Sequence, residues 1–323
     1  MSELKDLTRA RTGCTAPAHF VKRAPLAEVV EALCQANGGL IRNAKGVPCA
    51  DPLPAREEVY KVVEGLRSVL FPGYFGDSEV TPESMRYSMG NTLAGVRRVL
   101  REQIKRGICF SCMDQEFHGE CSPQADKITE EFMAALPEIQ AQVASDVQAA
   151  YEGDPALSTP AEAIFCYPGV IAITNFRLAH KLHTLGVPLL PRMITEYAHS
   201  TTGIDIHPGA TIGDAFFIDH GTGVVVGETC IIGKNVQIYQ GVTLGAKSFP
   251  LDDEGNPIKG IARHPIIEDN VTIYAGATIL GRVTIGAGSV VGGNVWLTRG
   301  VPENSQISNK QPRASVFTDG GGI

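Results

Sequence analysis

Three short stretches carry side chains able to move a proton or hold an anion: Asp205-Ile206-His207-Pro208, Asp219-His220 and Arg263-His264. A histidine beside a carboxylate is the usual pairing for general base work near neutral pH, because its ordinary pKa lies close to 6.5. An arginine beside a histidine offers forked donors for a carboxylate. A fourth group, Cys109, Cys112, His118 and Cys121, has the spacing C-x2-C-x5-H-x2-C and could close a tetrahedral zinc site. The alternative for it is ordinary thiols at a helix end.

The elements that hold the first three stretches are announced by a beat of six. Branched aliphatic residues fall at Ile206, Ile212 and Ile218, resume at Val226, Ile232, Ile238 and Leu244, and run again from Ile267 through Ile273, Ile279, Ile285 and Val291 to Leu297. A period of six is neither the 3.6 of a helix nor the two of a strand. It fits a solenoid in which three short strands and three turns make one triangular coil, each coil burying its aliphatics on the next. The beat fails twice. Ile218 to Val226 is eight residues, and the surplus lies in Asp219-His220-Gly221-Thr222-Gly223. Between Leu244 and Ile267, Ala246 to Ala262 cannot be laid on the pattern and reads as one extended loop closing at Arg263-His264-Pro265. Both failures adjoin a histidine, and insertions are where solenoids carry binding faces.

Upstream the pattern is helical. Leu26, Val29, Val30 and Leu33 have helical spacing, as do Val59, Val62, Val63, Leu66 and Leu70. Further helices are predicted over about Ser84–Arg106 and Asp126–Tyr151, from Pro160 to Gly186 with a break at Pro168-Gly169, and over Pro191–Ser200. The expected class is therefore α+β, with a helical N-terminal domain over 1–202 (1–53 poorly defined), a solenoid over 203–302 and a flexible C-terminal tail over 303–323.

Composition narrows the function. With 43% hydrophobic and 20% charged residues, the 323-residue chain has the make-up of a soluble globular protein. A formal charge of -7 argues against nucleic acid or an anionic membrane as partner. No apolar run is long enough for a membrane span, and no apolar segment follows the first charges as in a secretion signal. The expected compartment is the cytoplasm, where the eight cysteines would not form a disulfide framework.

Residues 140–302 resemble the serine O-acetyltransferase family. The likeness is densest in Thr202-Gly203-Ile204-Asp205-Ile206-His207-Pro208, in Phe217 to Thr229, in Gln240-Gly241-Val242-Thr243-Leu244-Gly245 and in Arg263-His264-Pro265. The long N-terminal region is closer to the longer bacterial branch. The resemblance implies a left-handed parallel β-helix that forms homo-trimers, or hexamers as dimers of trimers, with sites between subunits. It implies acetyl-CoA as acyl donor, with no tightly bound cofactor, and L-serine as acceptor. His220 would then be the general base, with Asp205 orienting it. Arg263 and His264 would act from the facing subunit, and Asp219 and Asp154 would take the serine ammonium. Glu162 is a further candidate for that cation. Gly245 and Ala275 are nominated for the pantetheine arm, and Lys247 and Lys259 for its phosphates. The resemblance also implies inhibition by L-cysteine, and docking of the C-terminal Ile323 into O-acetylserine sulfhydrylase. Three other readings remain at this point: an acetyltransferase for a sugar or other hydroxyl acceptor, a zinc lyase built on His207, His220 and His264, and a scaffold whose purpose is partner binding through the tail.

Overall fold

The computed structural model describes residues 25–37, 52–77, 79–111 and 121–309. It divides into two units, 1–42 and 43–323. The smaller contains α1 (Leu26–Asn37), whose apolar stripe of Leu26, Val29, Val30 and Leu33 is exposed. The larger begins with α2 (Arg56–Leu70), α3 (Pro82–Ser111), α4 (Cys121–Gly153), α5 (Pro160–Cys166), α6 (Pro168–Thr184) and α7 (Leu190–Thr202). The break expected at Pro168-Gly169 is the joint between α5 and α6. α3 extends beyond the sequence expectation at both ends, so Cys109 falls inside it. No described helix is long and apolar enough to cross a membrane.

Helices α2 to α7 share one core, in which Val63, Ile104, Phe132, Leu178 and Leu190 are essentially sealed from solvent. α6 belongs to two cores: Leu178 and Leu182 face the other helices, while Ala172, Ile173 and Phe176 face the solenoid. A buried ion pair strengthens this junction. Arg177 of α6 donates to both carboxylate oxygens of Asp146 of α4 at 2.6 and 2.7 Å, and its guanidinium also reaches the Gly213 carbonyl at 2.8 Å. Asp146 in turn accepts the Phe216 amide at 2.9 Å.

Gly203, with φ of 71°, ends α7 in the left-handed region and turns the chain into the solenoid. Fourteen described strands of two or three residues follow, from β1 (Asp205–Ile206) to β14 (Gln306–Ile307). They form three parallel sheets, the faces of a left-handed parallel β-helix: β1, β4 (Val225–Val226), β7 (Thr243–Gly245), β10 (Thr278–Leu280) and β13 (Trp296–Leu297) in the first, β2 (Thr211–Ile212), β5 (Ile231–Ile232), β8 (Ile266–Ile267) and β11 (Thr284–Ile285) in the second, and β3 (Phe217–Ile218), β6 (Gln237–Ile238), β9 (Thr272–Ile273), β12 (Val290–Val291) and β14 in the third. Every aliphatic beat from Ile206 to Leu297 is buried. Each is worth about 1.5–3 kcal/mol of apolar transfer, and only the stacking of coils makes that burial available.

The register measures the interruptions. Val225 of β4 (Val225–Val226) pairs with Thr243 of β7 (Thr243–Gly245), eighteen positions on, which is three beats of six. Asp205 pairs with Val225, twenty positions on, so the turn holding His220 carries two extra residues. Thr243 pairs with Thr278 of β10 (Thr278–Leu280), thirty-five positions on. That excess of seventeen is the length of Ala246 to Ala262.

Candidate active site

The two-residue insertion is a tight turn with a histidine at its apex. The Gly221 amide donates back to the Asp219 carbonyl at 2.6 Å, and His220 takes a φ of 56°. A positive φ is uncommon for a residue with a Cβ and costs free energy that the surrounding structure must supply. The turn lifts the imidazole off the coil, leaving its side chain 70% exposed, with Nδ1 at 3.7 Å from Asp219 Oδ1.

Two helix ends border this turn because glycines let them approach. A Cβ on Gly153, at the end of α4, would lie 2.8 Å from the Phe217 ring; one on Gly169, in the first turn of α6, would lie 2.3 Å from the Ile218 carbonyl oxygen. The α4 end brings Asp154 and the α6 start brings Tyr167, whose phenol donates to Asp154 Oδ2. The Ala156 amide donates to Oδ1 of the same carboxylate at 2.8 Å. The Tyr167 hydrogen bond, with the Ala156 amide, holds Asp154 below the ordinary aspartate range. Burial pushes Asp219 up, and Asp154 adds to this while His220 opposes it. Burial and the Asp154 carboxylate keep the Tyr167 phenol protonated. On the next two coils of this corner, Tyr239 and Tyr274 stack with ring centroids 5.0 Å apart.

The second motif occupies another corner, between the first and second sheets. His264 is buried, and its Nδ1 accepts the Thr229 amide at 3.0 Å. Burial, aided by Arg263, depresses its pKa. Arg263 donates to Glu228 Oε2 at 2.6 Å. Burial works to raise the Glu228 carboxyl, but Arg263 outweighs it and holds the group below the ordinary glutamate range. His207 lies at the same corner with its pKa pushed down to about 4, first by burial and then by Arg192.

Among the expected residues, His220, Asp219 and Asp154 form one group, and Arg263 and His264 another. Among the described residues no hydrogen bond or ion pair joins Asp205 to His220. Asp205 instead places a carboxylate oxygen within 4.8 Å of ligand atoms of Glu196 and His199. Glu162 is engaged in helix capping: Thr159 accepts its amide, and its carboxylate accepts the Ser158 amide at 3.0 Å. Gly245 ends β7, where a Cβ would crowd Leu280 at 2.9 Å, and Ala275 lies in the turn that directly follows Tyr274. His207, His220 and His264 do not converge, since His220 stands at a different corner from the other two. Cys109 and Cys121 are buried, while Cys112, His118 and Ile323 lie outside the described residues. Sequence reasoning missed Tyr167, Thr229 and Glu228. The last two were present in the Phe217 to Thr229 motif, and only their hydrogen bonds reveal a role.

Residues 264–299 match the model of the bacterial transferase hexapeptide (six repeats), and residues 223–249 that of the hexapeptide repeat of succinyl-transferase. A plasmid-borne serine acetyltransferase of Synechococcus elongatus is 57% identical over 276 residues, covering 84% of this chain and 86% of that protein. The chain belongs to the serine acetyltransferase family. Serine acetyltransferase 1 of Entamoeba histolytica, solved in complex with L-cysteine, superposes with a TM-score of 0.68 at 35% identity, covering 77% of this chain and 86% of that one. The family member of Brucella abortus, solved with coenzyme A, gives a TM-score of 0.51 at 26% identity over 78% of this chain and 94% of that one.

Proposed function

We propose that this chain is a serine O-acetyltransferase, transferring acetyl from acetyl-CoA to the hydroxyl of L-serine to give O-acetyl-L-serine and CoA. The observation that carries the reading is the exposed His220 at the apex of its turn, flanked by the carboxylates of Asp219 and Asp154.

Serine arrives with an unreactive hydroxyl, an ammonium and a carboxylate. Asp154, held ionised by Tyr167, takes the ammonium together with Asp219. His220 accepts the hydroxyl proton as serine oxygen attacks the thioester carbonyl. The tetrahedral intermediate then collapses, the C–S bond breaks, and the proton passes from His220 to the departing thiolate. Asp205, on the coil that pairs with β4, orients His220 when that imidazole turns inward over the β1 end. Arg263 binds the serine carboxylate, and His264 donates a hydrogen bond to developing negative charge. The pantetheine arm passes along the turns near Gly245 and Ala275.

His220 and His264 belong to different corners of one prism, so they meet when the corner of one subunit faces the next corner of its neighbour. This supports a homo-trimer with three inter-subunit sites, and a hexamer formed as a dimer of such trimers satisfies the same site. L-cysteine, isosteric with L-serine, fits the acceptor site as an inhibitor. The segment ending at Ile323 docks on O-acetylserine sulfhydrylase, and the compartment is the cytoplasm. The test is release of CoA thiol from acetyl-CoA with L-serine. Turnover with a sugar and none with L-serine would overturn the reading.

A further inference from the structure

Thr229 occupies the turn after β4, at the foot of the extended loop, and nothing in the mechanism above uses it. Its surroundings are unusually complete. Its backbone amide donates to His264 Nδ1 at 3.0 Å, and its hydroxyl lies 2.9 Å from the same nitrogen. The hydroxyl oxygen accepts the backbone amides of Arg263 at 2.9 Å and of His264 at 3.1 Å. From the turn after β10, Arg282 donates to the carbonyls of Thr229 at 2.7 Å and His264 at 3.0 Å.

The chemistry of these contacts dictates a tautomer. A backbone amide can only donate, so Nδ1 must present its lone pair. The Thr229 hydroxyl has both its lone pairs directed to amides, which leaves its proton for the same Nδ1. Neutral His264 therefore carries its proton on Nε2. The ring also has one place to lie: a Cβ on Gly227 would come within 2.0 Å of Cδ2 and 2.2 Å of Nε2. Burial keeps the imidazole neutral.

We propose that Thr229 is a positioning residue that locks His264 as an Nε2–H donor and ties it to Arg263, so that the two motif residues meet substrate as one rigid unit. This rests on the reading of Arg263 and His264 as substrate-facing groups. A residue that sets the tautomer of a functional histidine is worth about 10- to 100-fold in activity where such partners have been removed from metal-bound histidines.

The experiment uses the full chain labelled with ¹⁵N-histidine, the His264 signals being identified by their loss in His264→Gln. The wild type is expected to show the neutral Nε2–H pattern at pH 7; an Nδ1–H pattern overturns the proposal. Thr229→Val keeps shape and the backbone amide but loses the hydroxyl. It is expected to lower kcat/KM for L-serine about 10- to 100-fold and to weaken, without abolishing, the Nε2–H preference, since the retained amide still donates to Nδ1. Thr229→Ser is expected to restore both. Wild-type kinetics in Thr229→Val, or failure of Thr229→Ser to rescue, overturns it. If Thr229→Val does not fold, the wild-type spectrum and the Ser variant still decide. Full activity of His264→Gln would instead sink the substrate-facing role of His264, leaving the tautomer to be judged by the spectrum.

Discussion

The phenol of Tyr167, at the start of α6, donates to the carboxylate of Asp154, one residue beyond the end of α4. One hydrogen bond thus joins two helices at the border of the His220 turn and fixes which way Asp154 points. A hydrogen bond to a charged group contributes about 1.5–3 kcal/mol. Tyr167→Phe is therefore expected to raise KM for L-serine about tenfold or more, with a smaller effect on kcat. Steady-state kinetics with varied L-serine would check this, and an unchanged KM would remove Tyr167 from the acceptor site.

Removing the base gives a larger effect on a different parameter. General base catalysis contributes about 10²- to 10⁴-fold, so His220→Ala should lose that much kcat while retaining its circular dichroism spectrum. A variant with wild-type turnover would end the proposed mechanism.

The separation of the two corners makes a prediction about assembly. His220→Ala and His264→Ala are each expected to be inactive alone. Co-expressed, they should form mixed oligomers in which some interfaces unite an intact His220 from one chain with an intact His264 from its neighbour. Recovery of a measurable fraction of activity in purified hybrids is expected; none at all would mean that each site is built within one chain.

Stability should depend on the junction of helices and solenoid. Asp146→Ala leaves the Arg177 guanidinium buried without its bidentate partner, and breaking a buried pair this way costs about 3–5 kcal/mol. Urea unfolding would measure it. The double replacement Asp146→Leu with Arg177→Met should cost less than Asp146→Ala, since no charge is then stranded.

Acid should weaken the fold before the carboxylates titrate. Burial lowers the pKa values of His180, His207 and His264 in the folded chain, that of His207 to about 4. The unfolded chain, titrating near 6.5, binds these protons first as pH falls. Stability from these groups is full above about 6.5 and is lost on going down towards about 4. Thermal unfolding scans across that window should show a falling Tm, and His207→Gln should flatten the fall.

Much of this was legible before any coordinate. A beat of six is a strong signal because stacking admits one spacing only, and the register turns recovered the two-residue and seventeen-residue interruptions at the places where the beat stumbles. The helices were legible from their apolar spacing, to within a few residues at the ends. Glu162 has a local role that the sequence also displays: Thr159 three residues earlier makes it part of a cap. Tyr167 had no such signal, since nothing near it in sequence announces a carboxylate thirteen residues away.

The sequence by itself determined the solenoid, its two insertions and the residue types that those insertions offer. Hydrophobic periodicity is a local property that every coil repeats, so it survives without knowledge of the whole. Tertiary structure alone decided which of those residues meet: Tyr167 with Asp154, Arg263 with Glu228, Thr229 with His264, and Asp205 beside Glu196 and His199. Such pairs depend on how coils stack and where helices dock, at separations along the chain that no short pattern encodes.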